Sequence, residues 1–138
     1  MRSALLVFVA SVSLLAGCVP ARTTEILVLP SQGETPTLSD EKTNGILGVV
    51  TGFLSEKGFA LELIGSVARP GCSAVQHWGR DATNVIICTS PESIRVSLSD
   101  WGPDMESRSI VRPATAEVRD RLGEKLTAKI DGIRVTHD

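Results

Sequence analysis

The sequence predicts an α+β domain in which two helices pack on one face of a mostly antiparallel sheet. Three observations predict it. Two segments, Ile46 to Leu54 and Val118 to Ile130, carry apolar residues at helical spacing. Short runs around them, such as Ile94 to Ser99, alternate apolar and polar residues and read as strands with one wet face. Several of these runs follow one another through short turns, which favours a meander with the helices grouped on one side. The chain has 138 residues, the size of one small domain, and its 42% hydrophobic and 22% charged composition excludes a wholly disordered polymer.

Each element has its own signal. Glu25 to Pro30 is an apolar run closed by proline, hence a strand, and Ser31 to Thr37 is a loop containing Gly33 and Pro36. Ile46, Leu47, Val50, Phe53 and Leu54 form one helical stripe. Ser39 or Asp40 caps its start, and Gly58 ends it. Gly45, Gly48 and Gly52 within this helix each cost about 1 kcal/mol relative to alanine. Their spacing leads us to expect close packing against the sheet.

Phe59, Leu61 and Leu63 alternate with polar or small neighbours as a strand does. Cys72 to Trp78 gives a weaker strand signal, and Gly79 to Thr83 is a polar turn. Val85-Ile86-Ile87-Cys88 is a β-branched run expected to be buried on both faces. Ile94, Val96 and Leu98 form the next strand, and Trp101 to Val111 reads as a loop. Pro113 opens the second helix, whose stripe runs through Ala114, Val118, Leu122, Leu126 and Ile130. Ile133 and Val135 offer a final strand. The expected order is β-α-β-(β)-β-β-α-β, with Val50, Phe53, Leu54, Leu61, Leu63, Ile86, Val96, Leu98, Val118, Leu122 and Leu126 in one core.

The first residues carry an address. Arg2 supplies a positive start, and Ala4 to Leu15 is apolar apart from Ser11 and Ser13. Twelve helical residues rise ~18 Å, short of a ~30 Å hydrocarbon core, so the layout is that of a secretory signal rather than a membrane span. Leu15-Ala16-Gly17-Cys18 then resembles the lipobox of bacterial lipoproteins. The resemblance implies cleavage before Cys18, with residues 1–17 removed. It also implies a diacylglycerol on the Cys18 thiol and a palmitate-type acyl chain on its amine. Val19, where an aspartate often marks inner-membrane retention, implies the outer membrane, facing the periplasm. Residues 18–24 are then a membrane tether and 25–138 a single periplasmic domain. The six residues from Val19 to Thr24 reach at most ~20 Å.

Little in the remainder points to chemistry. Without Arg2 the chain carries 13 basic and 16 acidic residues, which offers no basic face for nucleic acid. Motifs for a serine nucleophile, a phosphate loop, a zinc protease or a calcium loop are missing. No catalytic residue, metal site or cofactor is assigned. His77 lies near Cys72 and Cys88, so a copper or zinc site can be imagined, whereas His137 is penultimate. Asp100, Asp104 and Glu106 flank Trp101, a set that could bind or cleave a sugar. Trp78 and Trp101 are the two tryptophans, and each is a candidate for facing a ligand or partner.

Lipid on Cys18 leaves two thiols, Cys72 and Cys88, and an oxidising compartment favours their disulfide. A hairpin centred on Arg80 would set them directly opposite one another, within disulfide reach. Two buried free thiols, or the metal site with His77, are the competing readings. The expected function is therefore a membrane-anchored envelope lipoprotein, a non-catalytic binding or assembly module. Its partners are membrane lipid through Cys18 and an envelope protein. In outline it is similar to small assembly and chaperone lipoproteins, an architectural likeness without a shared motif. The alternative is an anchored enzyme or enzyme inhibitor acting on peptidoglycan or another glycan.

Overall fold

The computed structural model describes residues 22–62, 69–102 and 109–138. The expected signal, the lipobox-like segment with Cys18, and Leu63, Asp104 and Glu106 lie outside the described residues. The elements run β1 (Thr24–Pro30), α1 (Asp40–Glu56), β2 (Ala60–Glu62), β3 (Ala74–Arg80), β4 (Thr83–Thr89), β5 (Ile94–Trp101), β6 (Ser109–Ile110), α2 (Pro113–Lys129) and β7 (Ile133–His137). The fold is α+β, with sheet order β2-β3-β4-β5-β1-β7 and β6 joined to the end of β5. Every strand pairing among the described residues is antiparallel.

The register explains which side of the sheet is covered. Ile26 pairs with Val96 and Val96 with Ile87, while Thr24 pairs with Leu98, Leu98 with Val85 and Val85 with Trp78. These side chains share one face and are buried with Ile46, Val50, Phe53 and Leu54 of α1 and Val118, Leu122 and Leu126 of α2. Both helices thus lie on this face. The opposite face carries Glu25, Leu27, Ile86, Cys88, Arg95 and Ser97, none of them fully buried.

Several expectations change for this reason. Ile86 is on the open face and only partly buried, whereas Val85 and Ile87 face the core. The β-branched run reflects strand preference, because helices cover only one side of β4. Leu61 is 51% exposed, since β2 is an edge strand beyond the reach of the helical layer, and Phe59 is buried instead. Ala114 is exposed and Thr115 is buried, which rotates the start of the α2 stripe by one residue. Gly45, Gly48 and Gly52 are exposed, and a Cβ at Gly48 or Gly52 would meet nothing within 4 Å. Gly48 and Gly52 weaken α1 without any close packing in return, and a Cβ at Gly45 would meet Ile130 Cδ1 at 3.6 Å, an ordinary contact.

Local signals set the ends of the helices. Ser39 Oγ accepts from Lys42 N at 3.2 Å to cap α1. Gly58 follows α1 in the left-handed region at φ 84°, with Phe59 N donating to Leu54 O at 2.9 Å. The N-terminus of α2 is capped across the fold by Asp100 of β5. Its carboxylate accepts from Arg112 N at 2.9 Å and from Thr115 Oγ1 at 2.6 Å.

Cys72 and Cys88 form a disulfide, with Cα atoms 5.4 Å apart. The cysteines are not directly opposed, because the β3–β4 turn is Asp81-Ala82 rather than a turn centred on Arg80. Asp81 tolerates the left-handed conformation at φ 51° that this tight turn needs. Cys88 therefore faces Val75, and Cys72 reaches it from the segment just before β3. Closing a separation of 16 residues contributes about 3 kcal/mol in the chain-entropy account.

Candidate functional site

The uncovered face of the sheet holds a cleft of about 470 Å³, within the range of small-ligand sites. Strand alternation forms its floor. Ile86, Cys88, Arg95, Ser97 and Glu25 point to this side because their neighbours Val85, Ile87, Val96 and Ile26 point to the core. The disulfide builds one wall by holding Arg69, Pro70 and Gly71 against β4. The other wall is the β4–β5 turn with Ser90 and Ser93. Ser90 N donates to Ser93 O at 2.9 Å, and Ser93 N donates to Ser90 Oγ at 3.2 Å, so this turn is fixed.

The floor carries a charge pair. Glu25 accepts from Ser97 Oγ at 3.2 Å, and its other oxygen lies 3.7 Å from Arg95 Nε. Arg69 has no ion-pair partner among the described residues. The cleft thus offers two guanidiniums, a carboxylate and serine hydroxyls around an apolar patch of Ile86 and Pro70. Such a set can hydrogen-bond and orient a polar ligand. A serine nucleophile would need a base within hydrogen-bond reach. His77 lies in the same cross-strand row as Ser97, with Ile86 between them. Two strand spacings put them roughly 9–10 Å apart, too far for proton transfer, and the carboxylate within reach of Ser97, that of Glu25, is shared with Arg95.

The sequence-derived candidates fall in different places. Trp78 is 8% exposed and packs in the core, with its indole N–H donating to Gln76 Oε1 at 3.0 Å. It does not face a ligand, because its position in β3 points toward the helices. Trp101 is 48% exposed at the end of β5. Asp100 is only 1% exposed and lies on the covered face, so it does not converge with Trp101. Burial alone would raise its carboxyl, but hydrogen bonds from Thr115, Thr83 and Arg112 N outweigh this and hold it below the usual carboxylate range. It is an acceptor that anchors α2 rather than an acid for catalysis. The sulfurs of Cys72 and Cys88 are bonded to each other, which removes the thiolates from any site with His77. Among the described residues no group of three or more His, Cys, Asp or Glu side chains forms a metal-ligand set.

Sequence reasoning missed the cleft. Its one sequence-level trace is the alternation of Arg95, Ser97 and Ser99 on the wet side of β5. Among the described residues no helix is long and apolar enough to cross a membrane. No family model matches the chain, and no curated protein matches it.

Proposed function

We propose that this chain is a lipid-anchored envelope module that binds a protein partner through the open face of its sheet and performs no chemistry on it. The observation that carries the reading is the cleft over Arg95, Ser97 and Ile86. It is polar and walled by a disulfide-held loop and a fixed turn, and its Glu25 carboxylate is shared between Ser97 and Arg95. The anchor is the acylated Cys18 of the lipobox-like Leu15-Ala16-Gly17-Cys18, and the compartment is the periplasmic side of the outer membrane.

A photo-crosslinking residue in place of Ser97, in the chain expressed in its own envelope, tests this. One dominant protein adduct is expected from position 97. None is expected from Glu117, which is exposed on the far side of α2. Adducts with glycan alone, or equal protein adducts from both positions, contradict the reading.

A further inference from the structure

We infer that the domain seats its tether end on the lipid surface through Trp101, so that the far wall of the open-face cleft is held away from the bilayer. The inference rests on the proposed lipidation of Cys18 and adds an orientation that a tether's length does not impose by itself.

Topology brings three features to one end of the sheet. Thr24, where the tether enters the fold, pairs with Leu98, three residues before Trp101. The carboxyl-terminal residue closes on the same point, with Asp138 Oδ1 accepting from Glu25 N at 2.8 Å and from Thr24 Oγ1 at 3.2 Å. The arginine of α2 that reaches this corner, Arg119, also donates to Thr24 Oγ1 and Asp138 O. The exit of the tether is therefore fixed rather than frayed. Val19 to Thr24 spans at most ~20 Å, which keeps this end of the domain near the surface to which Cys18 is attached.

The exposed indole stands at that end. Trp101 is held by its backbone, its N–H donating to Ala82 O at 2.9 Å and its carbonyl accepting from Arg112 Nη2 at 3.2 Å. An amphipathic indole with a guanidinium beside it suits the headgroup layer, where tryptophan is enriched and basic side chains meet lipid phosphates. Asp81 lies in the adjoining turn, so the end carries no purely basic patch, and the indole rather than net charge makes the contact. From Trp101 back to Ile94, β5 runs roughly 24 Å at ~3.4 Å per residue. Ser90 and Ser93 lie beyond Ile94. The Ser90–Ser93 wall of the cleft is thus a full strand length from the seated end, while the floor begins at Glu25 beside the tether.

The unacylated mature chain, beginning at Cys18, tests the orientation. Cys18 is its one free thiol, because Cys72 and Cys88 are bridged. Coupling that thiol to a maleimide-bearing lipid in vesicles of phosphatidylethanolamine and phosphatidylglycerol imposes the anchor whether or not cells acylate Cys18. A failure of the seat is thereby distinguished from a failure of the lipidation reading. On coupling, tryptophan emission is expected to shift to shorter wavelength and to be quenched by lipids brominated near the headgroup. Trp101→Phe should lose both responses, since the remaining Trp78 is buried. Trp78→Phe should keep both. Emission equal to that of the uncoupled protein, or a response that persists in Trp101→Phe, overturns the inference.

Discussion

Truncating Leu122 to alanine is expected to lower the unfolding free energy by about 3–5 kcal/mol in urea melts. Leu122 is fully buried on α2, the helix that packs against α1, β1, β5 and β7 together. Removing its isobutyl group forfeits the transfer free energy and leaves a cavity between elements that cannot all close on it. For a small domain whose whole stability is about 5–15 kcal/mol, that is a large share. Leu61→Ala is the internal control. The same side chain at 51% exposure on the edge strand β2 should cost under about 1 kcal/mol. Similar losses at the two positions would mean that the helices do not cover the face assigned to them.

Asp100→Ala should cost about 3 kcal/mol at neutral pH. Hydrogen bonds to a charged group contribute about 1.5–3 kcal/mol each and do not add fully. Asp100 accepts from Thr83 Oγ1, Thr115 Oγ1 and Arg112 N, and its loss leaves these donors unpaired at the start of α2. The pH dependence follows from the direction of the shift. The folded carboxyl sits below its unfolded value of about 3.9. Its contribution is therefore fully present above that value and fades as the pH falls through the folded one. The gap between wild type and Asp100→Ala should accordingly stay constant from neutral pH to about 5 and narrow below about 4. Asp138, also held low, chiefly by the Glu25 backbone, titrates in the same region but is present in both proteins and cancels from the comparison. A gap that does not change with pH would show that the carboxylate charge is not what holds α2.

Asp100 also shows where the sequence was legible and where it was not. The stripes of α1 and α2 and the alternation of β5 are local patterns, and local patterns were enough for the helices, for most of the strands and for the sheet's antiparallel character. Asp100 occupies an inward position in that same alternation, in step with Ile94, Val96 and Leu98. Beside Trp101, Asp104 and Glu106, it nevertheless reads in the sequence as one of three acids of a sugar-binding set. What distinguishes it is Thr115, 15 residues away and brought close only by folding.

The disulfide was legible by counting thiols, but its register was not. A left-handed Asp81 moved the turn and set Cys88 opposite Val75. Ile86 and Leu61 were misplaced because apolar character marks a strand without telling which face the helices cover. The cleft needed both corrections at once. It exists only because one face stays bare and because the bridge folds Arg69 to Gly71 over it.

Lipid anchoring of the module is decided by the intact mass of the protein isolated from its own membranes. The expected chain begins at Cys18 and is heavier than the bare sequence by a diacylglycerol and an acyl chain. Two hydrogens fewer than in the reduced form are expected for the Cys72–Cys88 bridge, and no lipid on a Cys18→Ser variant. A mature chain that begins elsewhere, or one that begins at an unmodified Cys18, contradicts lipid anchoring.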